Sequence, residues 1–272
     1  MSGEPTQPNI VERLGSLALA CVRYCGGMAL LLGRASRWAF RGLFVPGVRF
    51  GREALAGQII RIGMRSLGIV VLVQVFIGVI LALQMTPPLE PWGQTDKIAN
   101  IIGVAGFRML GPIITAIVLC GFAGASIAAE LGTMVVSEEI EALEATALNP
   151  IRFLVVPRIL ATLLVTVLLS VVADVMIALG GYLAGLTLGP EVHVGYWQRM
   201  REQLEYRDFF TGLFQAGVFG LLIGLIACYE GLKVKGGAEG VGRATTMTVV
   251  YSIVAIIVAA CLFTVVFYIY KV

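Results

Sequence analysis

Five long apolar stretches restrict what this chain can fold into. A helix needs about 20 mainly apolar residues to cross a bilayer, and lipid admits only helices or closed barrels because backbone polar groups must be paired within the structure. The chain is 58% hydrophobic and 14% charged, which lies outside the range of ordinary soluble domains. The sequence therefore predicts five transmembrane helices, at residues 66–86, 101–128, 154–188, 209–230 and 246–270.

The N-terminal part, residues 10–62, alternates short apolar clusters with single arginines. This pattern favours an amphipathic helix that lies in the membrane interface. A short sixth span at residues 14–33 is the alternative, although Arg23 and the pair Gly26 and Gly27 disfavour it. No cleavable signal peptide is predicted, because the first residues are polar and acidic. The expected fold class is an all-α integral membrane protein with an N-terminal interfacial helix (domain 1–63) and five spans (domain 64–272).

The distribution of lysine and arginine predicts the orientation of the spans. The region up to Arg65 and the segments 130–158 and 231–245 carry fourteen of these residues, whereas the opposite loops and the C-terminus carry five. Basic loops stay in the cytoplasm, so we expect a cytoplasmic N-terminus and an outward-facing C-terminus. An odd number of spans provides no internal two-fold repeat, and a transporter built from such a chain is expected to be a dimer.

The segment between the second and third spans is acidic. Ser137 is a candidate N-cap for a short helix over residues 137–148, which Asn149 and Pro150 would end. Anionic lipids repel a cluster of glutamates, so a protein partner with a basic groove is favoured over the alternative that this helix lies on the membrane. On this helix, Ile140, Leu143 and Ala147 are predicted to share one face and the glutamates to occupy the rest.

Other motifs in the sequence are weak signals for chemistry. The segment from Gly237 imitates a phosphate-binding loop, but Arg243 and Ala244 replace the lysine and the hydroxyl residue of that motif, so a tight turn into the last span is the better interpretation. The five cysteines are interpreted as small buried hydrophobic residues, and His193 as a surface residue without metal-ligand partners. Neither a metal site nor a nucleophilic catalytic site can be assembled from these residues.

A charged residue within a predicted span usually has a function. Asp174 lies near the middle of the third span, and Arg108 lies near the outer end of the second. Asp174 could bond to a neighbouring helix or serve an ion relay, so an ion-coupled secondary transporter is the alternative function. The spacings Gly181-x-x-x-Gly185-x-x-x-Gly189 and Gly220-x-x-x-Gly224 predict helices that approach each other closely.

Two long runs in the sequence resemble one known family. AAELGTMVVSEEIEALEATALNPIRFLVVPR and ACYEGLKVKGGAEGVGRATTMTVVYS look like the MlaE/YrbE permeases, and the similarity covers about residues 60–270. These proteins are membrane subunits of MCE-associated ABC transporters that move phospholipids or related lipids. The resemblance implies a homodimer in the bacterial inner membrane, with its C-terminus in the periplasm and a lipid cavity opening there. It also implies two cytoplasmic ABC ATPase subunits that carry ATP and magnesium, a periplasmic MCE-domain protein and a small regulatory subunit, with no cofactor on this chain and no nucleic acid.

The resemblance also assigns roles to individual residues. The segment at about 134–149 corresponds to the coupling helix that docks on the ATPase. Two positions depart from the family pattern, because Met109 and Phe122 stand where the family commonly has a glutamate and an arginine. The expected lipid-cavity residues are Leu81, Gln84, Leu89, Trp92, Arg108 and Met109. The expected ATPase-coupling residues are Glu130, Ser137, Glu138, Glu139, Glu141 and Glu144, with Glu239 and Arg243 in the second cytoplasmic loop.

Overall fold

The structure, a computed structural model, describes residues 10–44 and 52–270. Every regular element in these two ranges is helical, which confirms the all-α membrane class. Arg49 and the two C-terminal residues, which entered the prediction of orientation, lie outside the described residues. Five helical segments are long and apolar enough to cross a membrane: Glu53–Trp92, Thr95–Val136, Ile151–Leu188, Tyr206–Leu232 and Gly237–Tyr270.

The helices follow one another with few long connections. Short 3₁₀ turns at Glu90–Trp92 and Thr95–Lys97 join the first span to the second, and π-helical turns occur at Gly106–Leu110, Cys120–Gly124 and Ile151–Val155. The α-helices are α1 (Ile10–Phe44), α2 (Arg52–Leu89), α3 (Ile98–Ala105), α4 (Gly111–Leu119), α5 (Ala125–Val136), α6 (Glu139–Ala145), α7 (Val156–Leu188), α8 (Pro190–His193), α9 (Tyr196–Gln203), α10 (Tyr206–Leu232) and α11 (Gly237–Tyr270).

Helix α1 packs part of its surface on the bundle and leaves the rest exposed. Leu31 and Ala35 are buried in the core of the bundle, whereas Leu19, Val22 and Phe40 are exposed. Helix α1 is not among the five segments that satisfy the length and hydropathy of a span, so the alternative of a sixth span is not supported. Helix α2 continues without a break through the predicted domain boundary at residue 63.

An aromatic cluster holds α1 against the bundle. The ring of Tyr24 contacts Tyr229 of α10 and Tyr251 of α11 edge-on, with centroids 5.1 and 5.2 Å apart. Lys233 Nζ lies 3.9 Å from the centroid of Tyr229, within the range of a cation–π interaction. Burial, with Glu230 nearby, raises the pKa of Tyr24 far above its ordinary value, so this residue packs as a neutral phenol.

Helix α7 lies at the centre of the fold and contacts its neighbours through glycines. A Cβ atom added to Gly220 of α10 would lie 2.8 Å from Leu163 Cα, and one on Gly224 would lie 3.0 Å from Ile159 Cα. Gly78 of α2 packs more closely still on α7, because a Cβ atom added to it would overlap the carbonyl oxygen of Ile177. The glycine spacing in α10 therefore brings two helices of one chain together, as small residues do in membrane bundles.

The second span consists of three α-helices separated by two π-helical turns. Helices α3, α4 and α5 are joined by the turns Gly106–Leu110 and Cys120–Gly124. A π-helical turn holds one residue more than an α-helical turn and is frequent at functional sites in proteins. The first turn begins at Gly106 and carries Arg108 and Met109, and the second contains Gly121 and Gly124.

Candidate functional site

The predicted site residues lie at two opposite ends of the bundle. The acidic end contains α6, the C-terminus of α5 and the N-terminus of α7. The groove end contains the C-terminus of α2, the turn Gly106–Leu110 and the N-terminus of α10. The second span joins the two ends, with Arg108 at one of them and Glu130 at the other.

At the acidic end, helix α6 is shorter than the sequence predicts and begins differently. It covers Glu139–Ala145, and the residue before it, Glu138, has a left-handed backbone with φ of 60°. The prediction that Ser137 is the N-cap is wrong. Ser137 ends α5, and its Oγ lies 3.0 Å from the carbonyl oxygen of Thr133 and 3.0 Å from Glu139 Oε1, because the chain turns sharply between α5 and α6.

The faces of α6 separate acidic from apolar side chains. Glu138, Glu139, Glu141 and Glu144 are all exposed, whereas Ile140 and Leu143 are half-buried. The prediction that Ala147 shares the buried face is wrong. Ala147 is exposed and has a φ of 59°, because the helix has ended before it. Helix α6 thus presents four carboxylates to the outside of the bundle.

Glu130 is separate from this exposed cluster and joins three helices. Its carboxylate on α5 forms one ion pair with Arg61 of α2 and another, at 3.3 Å, with Arg158 of α7. The Arg158 side chain is 7% exposed, and its Nη1 also donates to the carbonyl oxygen of Leu154 at 3.2 Å. Glu130 therefore connects α5 to both α2 and α7 at the acidic end.

The groove end contains two adjoining open cavities, with volumes of about 590 and 720 Å³. The walls of the first are mainly apolar, and the second is lined by more polar groups around the N-terminus of α10. Arg108, Val104 and Gln203 line both cavities. The remaining lining residues of the first are Asn100, Ile101, Ala105, Met109 and Leu110, and those of the second are Glu205, Arg207, Asp208, Phe267, Tyr268 and Ile269.

Arg108 is held at the junction of three spans. Its Nη1 lies 3.5 Å from Asp208 Oδ1, and its guanidinium carbon lies 5.4 Å from the centroid of the Phe267 ring. Asp208 is fixed in turn by a capping box at the start of α10, in which it accepts the backbone N–H of Glu205 at 3.2 Å. A cation is therefore held beside an apolar groove, an arrangement that suits a ligand with one charged and one apolar part.

The other four predicted lipid-cavity residues do not line either cavity. Leu81 and Leu89 of α2 are half-buried against a core cluster that includes Ile98 and Ile177. Gln84 is exposed, and Trp92 is 78% exposed. Within this chain the structure brings together only Arg108 and Met109 of the predicted set.

The second predicted loop is largely helical. Glu239 and Arg243 are exposed on the first two turns of α11, which begins at Gly237; their assignment to a loop is therefore corrected. Gly236 and Gly237 have φ angles of 88° and 70°, which glycine adopts without strain. The tight turn into the last span is confirmed at Gly236 and Gly237, whereas Gly240 and Gly242 lie within α11.

The structure shows the surroundings of His193 and of four of the cysteines. His193 is half-buried, and its Nδ1 donates to the carbonyl oxygen of Gly189 at 2.9 Å. Cys120 and Cys228 are buried as predicted, but Cys25 and Cys261 are exposed, and the side chain of Cys21 lies outside the described residues. In the part of the chain that the structure describes, no three histidine, cysteine or acidic side chains are close enough to hold a metal ion.

The ion-pair partners of Glu130 and Arg108 could not be identified from the sequence alone. Arg61, Arg158 and Asp208 come from spans other than those of Glu130 and Arg108, and only the packing of helices brings them together. The one available signal was their position near the ends of predicted spans.

Comparisons with known proteins cover most of the chain. The profile of a family described as Permease MlaE matches residues 55–266. A probable ABC transporter permease of Rickettsia felis is 37% identical over 211 residues, 78% of this chain and 82% of that protein. The intermembrane phospholipid transport system permease protein MlaE of Haemophilus influenzae is 30% identical over 223 residues, 81% of this chain and 85% of that protein. The chloroplastic protein TRIGALACTOSYLDIACYLGLYCEROL 1 of Arabidopsis thaliana is 32% identical over 237 residues, 82% of this chain and 67% of that protein.

Proposed function

Because the chain belongs to the MlaE family of ABC transporter permeases, we propose that it is the membrane subunit of an ATP-driven transporter of phospholipids or related lipids. One observation carries the proposal: the second span links an apolar groove that holds Arg108 to an end of the bundle that exposes four glutamates. An amphiphile would bind at the groove, and a protein partner would bind at the glutamates. The relative from Haemophilus influenzae is named as a phospholipid transport permease.

The groove has the chemistry that a phospholipid requires. Its first cavity is bordered by Ile101, Val104 and Leu110, which suit an acyl chain, and Arg108 lies where a phosphate would be placed. Arginine is well suited to phosphate because its guanidinium group offers two parallel donors. Leu81, Gln84, Leu89 and Trp92 lie on the same end of the bundle but outside the groove. We propose that they contact lipid only where a second copy of the chain completes the cavity.

The acidic end has the chemistry of a docking site for an ATPase. Helix α6 exposes Glu138, Glu139, Glu141 and Glu144, and such a surface complements a basic groove on a soluble subunit. Glu130 would pass the motion of that subunit to α2 and α7. This chain would hold no nucleotide, and ATP and magnesium would bind to the partner.

The assembly that follows has several parts. A homodimer would carry two ATPase subunits and a small regulatory subunit on its cytoplasmic side and would meet an MCE-domain protein on its periplasmic side. In the inner membrane, the acidic end and α1 would then face the cytoplasm and the groove end the periplasm. The exposed glutamates of α6 support this orientation, since they would be repelled by an anionic membrane surface and favoured by a protein partner.

The alternative of an ion-coupled transporter has one supporting observation, the burial of Asp174. Asp174 takes part in none of the ion pairs Arg61–Glu130, Arg158–Glu130 and Arg108–Asp208. Those side chains therefore form no relay of paired charges across the bundle, and ATP-driven transport is the function that we propose.

The experiment that tests the proposed function uses the complex as it is isolated from its membrane. We expect the chain to co-purify with an ATPase, to retain phospholipid detectable by mass spectrometry, and to move labelled phospholipid between vesicles only when ATP is hydrolysed. Lipid transfer driven by a proton gradient without an ATPase would contradict the proposal. Isolation of the complex without lipid or ATPase, in a detergent that preserves related complexes, would also contradict it.

A further inference from the structure

A layer of buried polar side chains crosses the middle of the helix bundle. Gln74 of α2 donates from Nε2 to the carbonyl oxygen of Gly111 at 3.1 Å and to Thr115 Oγ1 of α4 at 3.0 Å. Both side chains have no exposed surface. The Oε1 atom of Gln74 is also buried, and it has no hydrogen-bond partner. The layer therefore includes an acceptor that is not satisfied by the protein groups around it.

Asp174 of α7 belongs to this layer. Its residue surface is 1% exposed, and neither carboxyl oxygen has a hydrogen-bond partner among the described residues. It lies directly against Gly111, where an added Cβ atom would overlap Asp174 Oδ1 and would be 3.1 Å from the carbonyl oxygen of Gly106. The carboxyl group is thus enclosed by the backbone of the second span, one residue beyond the π-helical turn.

Helix α10 supplies a further acceptor close to this level. Gln215 is 2% exposed, and its Oε1 has no partner. It lies between Gly212, which packs on the carbonyl oxygen of Phe107, and Gly217, which packs on Val167 of α7. The unpaired acceptors of the layer are therefore both Asp174 oxygens and the amide oxygens of Gln74 and Gln215, and the hydroxyl of Ser170, one turn from Asp174 on α7, is also buried without a hydrogen-bond partner.

The neighbouring helices bring no charge to this level. Helix α4 contains no titratable side chain, and the charged residues of α2 all lie between Arg52 and Arg65, near its N-terminus. Arg108, on the adjacent π-helical turn, lies at the groove and pairs there with Asp208 of α10. Glu130, on α5, is paired with arginines at the acidic end. An ionised Asp174 would therefore have no cationic partner among these groups.

We propose that Asp174 carries a bound proton and is a neutral carboxylic acid at the centre of the bundle. An isolated carboxylate in surroundings of low polarity is strongly unfavourable. A proton removes that charge and adds an O–H donor at a level where several buried acceptors are unpaired. The ligand of this buried site is therefore a single proton, and the polar layer holds it between α2, α4, α7 and α10.

The site adjoins the part of the second span that forms the groove. Gly111 directly follows the turn Gly106–Leu110, which carries Arg108 and Met109. Loss of the proton would place a charge against the Gly111 backbone and separate α4 from α7. The link to lipid binding rests on the proposed function, whereas the proton site itself does not depend on lipid or ATPase.

Infrared spectroscopy of the purified chain in lipid vesicles tests the site directly. We expect the carbonyl stretching band of a protonated carboxylic acid at neutral pH, with a shift in heavy water. The band should be absent in Asp174→Asn and present in Asp208→Asn, which serves as the matched control. An absent band in the unmodified chain would show an ionised Asp174 and would overturn the proposal, as would a band that remains in Asp174→Asn.

A second measurement compares stability at different pH values. If the folded chain binds a proton that the unfolded chain releases, stability must fall as pH rises. Relative to Asp174→Asn, the folding equilibrium constant of the unmodified chain should fall by up to about tenfold per pH unit as the pH rises above about 4, where an aspartate of the unfolded chain loses its proton, until the folded chain releases its proton as well. Asp174→Ser, which offers a donor without a carboxyl group, replaces Asn if that variant does not insert. Equal pH profiles would overturn the proposal, and so would stabilisation by sodium ions at fixed pH that Asp174→Asn abolishes. Neither measurement involves ATP or transport. A negative result would therefore contradict the proton site without contradicting the proposed function.

Discussion

Glu130 of α5 and Arg158 of α7 lie 3.3 Å apart in an ion pair whose arginine side chain is 7% exposed. Arg61 of α2 reaches the same carboxylate from the outside, with a side chain that is 47% exposed. The two pairs share one acid, but they differ in their access to solvent. This difference makes their contributions to stability separable.

We expect Glu130→Gln to lower the free energy of unfolding by roughly 3 kcal/mol, because it leaves Arg158 buried without its counter-charge. Arg61→Gln is the matched control, and we expect a loss of less than about 1 kcal/mol, because exposed ion pairs contribute little. Thermal unfolding in detergent measures both. Equal losses in the two variants would show that burial of Arg158 does not determine the strength of the interaction.

Charge reversal on α6 tests ATPase docking. We expect Glu141→Lys combined with Glu144→Lys to abolish co-purification of the ATPase, because two exposed carboxylates become cations that a basic groove repels. The control combines Glu90→Lys with Glu202→Lys, two exposed positions at the groove end, and should leave the complex intact. Subunit content after affinity purification is the measurement. Intact complexes with the first variant would rule out α6 as the docking surface.

Neutralising Arg108 tests lipid binding at the groove. We expect Arg108→Gln to reduce the amount of co-purified phospholipid by about tenfold, the factor expected for loss of one charged hydrogen bond. Arg201→Gln removes an exposed charge near the groove end and should retain the normal amount. Asp208→Asn breaks the ion pair of Arg108 but keeps its charge, so it distinguishes lipid contact from a structural role. Lipid loss in Asp208→Asn equal to that in Arg108→Gln would favour the structural role.

Substitution by alanine is expected to have opposite effects on stability at two glycines of α10. We expect Gly220→Ala to destabilise the bundle by about 2 kcal/mol, because its Cβ would lie 2.7 Å from Thr166 Oγ1 and 2.8 Å from the carbonyl oxygen of Thr162. Gly217→Ala would place its Cβ 3.6 Å from Val167, an ordinary contact, and should be neutral or stabilising because alanine favours helix. Melting temperatures of the two variants check this prediction. A stable Gly220→Ala variant would mean that α7 and α10 can separate without cost.

The spans themselves were predictable because their apolar length is a local property. Each predicted stretch falls within an observed helical segment, although the helices extend beyond the apolar residues into polar flanks, as α11 does at Gly237. Hydropathy detects the part of a helix that lies in lipid, and it carries no information on where the backbone hydrogen bonds end.

The candidate site was predictable only in part, because it depends on contacts between spans. Periodicity correctly separated Ile140 and Leu143 from the glutamates of α6. It failed for Ser137 and Ala147, where the backbone departs from helical geometry. The groove brings Arg108 and Asp208 together from positions 100 residues apart, and a single sequence contains no information on that pairing.

The π-helical turns make the geometry of the second span sensitive to the deletion of a single residue. Each holds one residue more than an α-helical turn, so it changes the angular position of everything that follows by about 100°. Deleting one residue from Cys120–Gly124 would restore a regular helix, yet it would rotate Glu130 away from Arg61 and Arg158. A single-codon deletion that removes no charged residue would therefore separate the groove end of this helix from the acidic end as effectively as removal of Glu130.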